Sequence, residues 1–177
     1  MYIEKLLIQI SQLLTQLKIP YLITGSIAYS VYAIPRSTRD IDIILEISED
    51  EIAGFINAIK GKYYYHEQTI HDEIKRKGMF NIIDLESSYK IDLIVLSNDP
   101  FEQAKFLRRK ILKVFGVEVH IISLEDLIIS KLRWIQQLDS ELHKRDIEAL
   151  LQNTNADKAY IKQWCEYLDL KTFNLIE

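Results

Sequence analysis

The stretch YLITGSIAYSVYAIPRSTRDIDIILE, residues Tyr21 to Glu46, constrains the fold more than any other part of the chain. It holds two apolar runs of strand character, and the second opens with two acids, Asp40 and Asp42. Alternate side chains of a strand share a face, so these carboxylates project together, with Cα atoms roughly 6.5 Å apart, while Ile41 and Ile43 point the other way. Burying two such acids with no cation would cost on the order of several kcal/mol or raise a pKa. The strand therefore needs an apolar core on one face and, on the other, either solvent at its exposed end or a ligand that neutralises the acids.

The rest of the chain supplies a sheet and its helical cover. Ile3, Leu6, Leu7, Ile10, Leu13, Leu14 and Leu17 recur at helical spacing, which predicts an amphipathic helix over residues 2 to 18, stopped by Pro20. A short buried strand at 21 to 24, a turn at Gly25, and Ser26 as cap of a helix ending before Pro35 come next. The acidic strand spans 40 to 46, and Ser48 with Glu51 reads as a capping box for a helix to about Lys60. MFNIIDLE and YKIDLIVL around residues 87 to 90 predict paired strands, and ILKVF and VEVHII around Gly116 predict a second hairpin. Beyond Ser123 the pattern is helical, with caps at Ser123 and Ser140 and a last helix from Asp157 to Leu168. The expected fold is α/β of the α+β kind, a mixed sheet flanked by helices with a helical C-terminal part. Residues 1 to 177 are expected to form one unit, sheet-containing over 1 to 122 and helical over 123 to 177, since no Pro-, Gly- or Ser-rich linker interrupts them.

Composition narrows the function classes. Hydrophobic residues make up 48% and charged residues 27%, and no apolar run reaches the roughly 20 residues a bilayer requires. The N-terminal MYIEKLLIQISQLL is broken by Glu4, Lys5 and Gln9 and has no small-residue cleavage site, so a cytoplasmic protein is expected. Cys165 is the single cysteine, which excludes an internal disulfide and a cysteine-based metal site and reads as a packed thiol. A net charge of −4 argues against tight binding of duplex DNA, and the basic clusters at 75 to 77, 108 to 110 and 143 to 145 read as solvated helix faces. The four histidines have no metal-ligand spacing; the tyrosines at 63 to 65 read as cover for a sheet, and Trp134 and Trp164 as core or interface.

The acids suggest metal chemistry. Mg²⁺ prefers carboxylate oxygens together with substrate phosphates, and a carboxylate pair can bridge two ions roughly 3.5–4 Å apart. Asp92 in KIDLIVL, an acid inside an apolar run, is the third candidate, with Asp84 in NIIDLE as its competitor. Gly25 lets the backbone approach a phosphate, which the first helical amides and the Ser26 hydroxyl could hold.

Gly25-Ser26, then Asp40-x-Asp42 on a strand, then Asp92 on another strand resemble the signature of the DNA polymerase beta-like nucleotidyltransferase superfamily. RSTRDID, with Arg36, Thr38, Asp40 and Asp42 at alternate positions, is similar to its minimal bacterial members, including nucleotidyltransferase toxins of abortive-infection systems. The resemblance implies a palm-like mixed sheet and transfer of a nucleoside monophosphate from a nucleoside triphosphate such as ATP to a hydroxyl acceptor, with release of pyrophosphate. It implies two Mg²⁺ or Mn²⁺ ions on Asp40, Asp42 and Asp92, and triphosphate contacts from Gly25, Ser26, Arg36, Thr38 and Lys131. For Lys131 and Arg133 a solvated helix face is the alternative. Where the toxins carry a fuller basic set, this chain has His143, Lys144, Arg145 and Asp146, of which Asp146 can instead pair with a basic neighbour. A nucleotide-binding module without turnover, or one member of a toxin–antitoxin pair, is the alternative function. The acceptor, whether RNA, protein or small molecule, and the oligomeric state are left open by the motifs.

Overall fold

A computed structural model describes residues 2–138 and 140–176. The first helix, α1 (Tyr2–Gln16), buries Ile3, Leu6, Leu7, Ile10 and Leu14, the stripe its spacing predicts, and Lys18 in the left-handed region turns the chain out of it. Strand β1 (Tyr21–Thr24) and helix α2 (Gly25–Tyr32) follow, then β2 (Asp40–Leu45). The predicted cap at Ser26 is displaced by two residues: α2 starts at Gly25, Thr24 holds the N-cap position, and no side chain caps it. The capping box at Ser48 and Glu51 is formed, but it opens a 3₁₀ turn (Glu49–Glu51) before α3 (Ile52–Ile59).

Next come β3 (Tyr63–Tyr64), α4 (Glu67–Arg76), β4 (Met79–Asp84), β5 (Lys90–Val95), α5 (Pro100–Leu107), β6 (Lys110–Val114) and β7 (Val117–Ile121). Helices α6 (Leu124–Gln137), α7 (Glu141–Leu151) and α8 (Lys158–Tyr167) complete the chain, capped by Ser123, Ser140 and Asp157. The seven strands form one sheet in the order β3-β4-β5-β2-β1-β7-β6. β2 lies parallel to β5 and β1 parallel to β7, while the other neighbours are antiparallel, so the sheet is mixed as expected.

The sheet's register positions the acids. Ile41, Ile43 and Leu45 of β2 and Ile91, Leu93 and Val95 of β5 are buried and join one apolar cluster with Leu7, Ile10 and Leu14 of α1. Period two then sends Asp42 and Ile44, and Asp92 and Ile94, to the opposite face, where they line a cleft. α2 packs on β1 and β2, and α6 packs on α2, α7 and α8, so the helical part closes the far side of that cleft. Among the described residues no helix is long and apolar enough to cross a membrane.

Candidate functional site

The cleft has a volume of about 780 Å³ and runs from the C-terminal end of β1 to the α6–α7 wall. At its floor Asp42 is the direct register partner of both Thr24 on β1 and Asp92 on β5. The carboxylates of two neighbouring strands therefore stand side by side. Asp92 is buried, with 8% of its surface exposed, and its Oδ1 has no hydrogen-bond partner. Burial, reinforced by the charges of Asp92 and Asp40, pushes the Asp42 carboxyl above its ordinary pKa, although Lys90 and the donated Ser26 backbone N–H pull it back.

Gly25 is shaped by this pair. Its φ is +62°, a conformation that disfavours any side chain, and a Cβ there would lie 1.9 Å from Asp42 Oδ2. The backbone can thus press against the acid only because residue 25 is glycine. Ser26, the next residue, accepts a hydrogen bond at Oγ from Arg36 Nη2 at 3.3 Å and retains its own hydroxyl hydrogen to donate. Its backbone amide, expected to be free for a phosphate, is directed at Asp42.

The remaining expected site residues fall into three places. Asp40 is exposed at the mouth of β2, and the Thr38 hydroxyl is turned to the Asp40 backbone, 3.2 Å from both its N and its O. Lys131 is buried against the cleft and, with Arg36, converges on Asp146 Oδ2, at 2.8 and 3.0 Å. Asp146 is thus a paired acid that ties α7 to α6 and to the segment before β2, the role expected of it. Burial lowers the Lys131 pKa, with Asp146 opposing the shift. Arg133, the other candidate on α6, grips Asp99 through both Nη atoms at 3.0 and 3.1 Å and is not on a solvated face. Asp84 is remote in role: at the end of β4 it accepts from the Ser87 amide and hydroxyl and shapes the β4–β5 turn.

Two participants were not foreseen. Lys90 places Nζ 2.7 Å from Asp92 Oδ2, and that bond, with the charges of Asp92, Asp40 and Asp42, raises the Lys90 pKa. The signal was available, since Lys90 is two residues before Asp92 and so shares its strand face. His143, on α7, faces the cleft with an Nδ1 that lacks a hydrogen bond. Trp134 is not a core residue: it lies on the cleft wall with half its surface exposed, because Leu127, Ile128, Leu132 and Ile135 take the core side of α6.

The arrangement can bind a cation and an anion side by side. Among the described residues no group of three or more His, Cys, Asp or Glu side chains converges on a metal position. The donors do suit a hard cation at a smaller count: two adjacent carboxylates, an unpartnered buried oxygen and a backbone held close by glycine.

No family model and no curated protein matches the chain by sequence. Solved structures do match it in fold. ANT(2'')-Ia in complex with adenylyl-2''-tobramycin is 13% identical, with a TM-score of 0.66 over 96% of this chain and 99% of that one. An antigenic nucleotidyltransferase-like protein from Paracoccidioides brasiliensis is 16% identical, with a TM-score of 0.58 over 93% and 88%. The lincomycin-bound lincosamide antibiotic adenylyltransferase LnuA is 16% identical, with a TM-score of 0.53 over 85% and 97%. The chain therefore has the mixed-sheet fold of nucleotidyltransferases.

Proposed function

We propose that the protein is a nucleotidyltransferase that moves a nucleoside monophosphate from a nucleoside triphosphate, ATP in the first instance, to a hydroxyl acceptor. The observation that carries the reading is the Asp42–Asp92 pair, two carboxylates on register-paired strands, Asp42 pressed against the Gly25 backbone and Asp92 with an unpartnered buried oxygen. A fold made for stability alone has no use for that arrangement, whereas a divalent cation bound together with a triphosphate would supply the positive charge it needs. The fold shared with two antibiotic adenylyltransferases supports the same reading.

Asp42 and Asp92 would hold the divalent cation, with Asp40 at the mouth positioned to share a second. Such ions neutralise the triphosphate and lower the pKa of an attacking hydroxyl. The chain's own part is then binding and proton transfer. Ser26 Oγ–H donates to a phosphate oxygen next to the α2 terminus, and the Arg36 guanidinium behind it sets the direction of that hydroxyl. Asp92 Oδ1, free of Lys90, accepts the acceptor's proton as the new oxygen–phosphorus bond forms, and the bond from the α-phosphorus to pyrophosphate breaks. Lys131 is within the cleft wall to meet departing phosphate oxygens, at the cost of loosening its hold on Asp146.

The test is incubation with each α-labelled triphosphate, Mg²⁺ or Mn²⁺ and a cell extract. Label transferred to an acceptor and lost in Asp42→Asn is the expected result. Triphosphate binding with no transfer in any extract would replace the enzyme with a nucleotide-binding module.

A further inference from the structure

The outer half of the cleft carries information on the acceptor, an inference that rests on the proposed transfer reaction. Its acids are Asp99 and Glu102, and both are engaged by cations of the protein. Asp99 is held by Arg133 through two bonds and also caps α5 through the Phe101 and Glu102 amides. Glu102 is held by Lys105 Nζ at 2.8 Å, with Arg133 at 3.6 Å. The Arg133 bond holds the Asp99 carboxyl below its ordinary pKa, as expected of a carboxylate whose charge is already matched. Lys77, another cation lining the cleft, is bonded to the Asn98 side-chain oxygen. Among the described residues, then, this part of the cleft offers no carboxylate free to receive an ammonium group.

What it does offer is neutral. Ser130 and His143 line the cleft, and their Oγ and Nδ1, turned inward from it and with Nδ1 3.9 Å from Asp146 Oδ2, lack hydrogen-bond partners. Burial and the charge of Lys131 lower the His143 pKa, with Asp146 opposing, which favours the uncharged imidazole, a donor and an acceptor at once. Next to them the Trp134 indole is 53% exposed, and His143 packs edge-on against it at a centroid distance of 6.4 Å. An exposed indole beside two neutral polar side chains with unused hydrogen-bonding capacity suits a ring that stacks on one face and carries hydroxyls at its edge.

We infer that the α6–α7 wall, through Trp134, Ser130 and His143, is the acceptor subsite, and that the acceptor is an uncharged hydroxyl-bearing ring compound of the glycoside type. Nucleosides and simple glycosides present that shared chemistry, and a polyamine such as tobramycin does not. An ammonium group would have to displace Arg133 from Asp99 or Lys105 from Glu102, leaving a cation of the protein unpaired.

The experiment is ligand-observed NMR on the intact protein with MgATP present. The probes are adenosine-free nucleosides, methyl glycosides and tobramycin, each repeated with Trp134→Ala and Ser130→Ala. Because Trp134 is half exposed, its replacement leaves the core intact, and MgATP binding by each variant serves as the fold control. The expected result is saturation transfer to a neutral probe, its affinity falling ~2- to 10-fold in Trp134→Ala, the scale of one lost stacking contact, with MgATP affinity unchanged. A response from nucleosides alone or glycosides alone assigns the source. Binding of tobramycin in preference, or no neutral binder, or neutral binding indifferent to both substitutions overturns the inference. Failure of MgATP to bind would instead strike the transfer reaction itself.

Discussion

Asp126 and Asp92 are both buried carboxylates, and the protein treats them in opposite ways. Asp126, in the first turn of α6, is fully enclosed, and its oxygens receive Ser123 Oγ at 2.7 Å, Arg108 Nε at 3.2 Å and the Tyr160 hydroxyl at 2.8 Å. Asp92, on the sheet, has one oxygen on the partly exposed Lys90, one oxygen on nothing, and a second acid as its strand neighbour. The helical part satisfies its acids internally, as Asp146 with Lys131 and Arg36 also illustrates. The sheet leaves its acids in need. Burial alone therefore does not mark a functional acid in this molecule; burial with incomplete pairing does.

The largest expected effect falls on the satisfied acid. Asp126→Ala leaves the Ser123 and Tyr160 hydroxyls without their acceptor, while the half-exposed Arg108 is rehydrated, and should cost about 1–3 kcal/mol of stability, the usual cost of buried polar groups left unpaired. Urea unfolding measures it, and a loss below ~1 kcal/mol would erase the contrast with Asp92.

Asp92→Asn should do the reverse. Transfer falls at least ~100-fold, the lower end of what loss of a general base costs, while urea unfolding of the ligand-free protein is little changed, because Lys90 is exposed enough to be rehydrated. Destabilisation matching Asp126→Ala, with transfer intact, would place Asp92 among the structural acids.

The pH dependence sharpens the same contrast. The folded-state pKa of Asp42 is raised, so between its unfolded and folded values the native protein binds more protons than the unfolded one. Stability then falls as pH rises through the folded value, and the penalty is complete above it. Asp42→Asn lifts that penalty and retains an oxygen to accept the Ser26 amide. Above the folded value the ligand-free variant should melt higher than the wild type, and the gap should close below about pH 3.9, the ordinary aspartate value. A variant that melts lower at neutral pH would show Asp42 to be stabilising.

The smallest effect belongs to Lys90. Lys90→Ala removes a cation that competes for Asp92 and should tighten Mn²⁺ binding a few-fold, read by paramagnetic resonance titration, while stability changes by no more than ~1 kcal/mol, as for exposed pairs. Weaker Mn²⁺ binding would mean that Lys90 helps to build the site.

Much of this was legible in the sequence because it depends on local periodicity. The alternation of Asp40 to Ile43 placed acids and core on opposite faces, and the stripe from Ile3 to Leu14 placed α1. The paired strands on either side of residues 87 to 90 and the Gly116 hairpin were readable for the same reason. Helices α4 and α5 were not, because they are short and their strongest signals are caps, His66 to the Thr69 amide and Asp99 before Pro100. The pairing of Asp146 with Arg36 joins residues 110 apart, and the alignment of Asp42 with Asp92 depends on strand register, neither of which local pattern encodes. Trp134 shares its helix with six buried apolar positions, and only the packing of α6 reveals that it faces the cleft.

The central claim is that the sheet acids are incomplete until a cation and a triphosphate arrive together. Thermal melting with Mg²⁺ alone, ATP alone and both tests it most directly, with the other three triphosphates run in parallel. The account predicts that the two together raise the melting temperature by more than the sum of the separate shifts, because each supplies ligands the other requires. An additive or absent shift with all four triphosphates would contradict it.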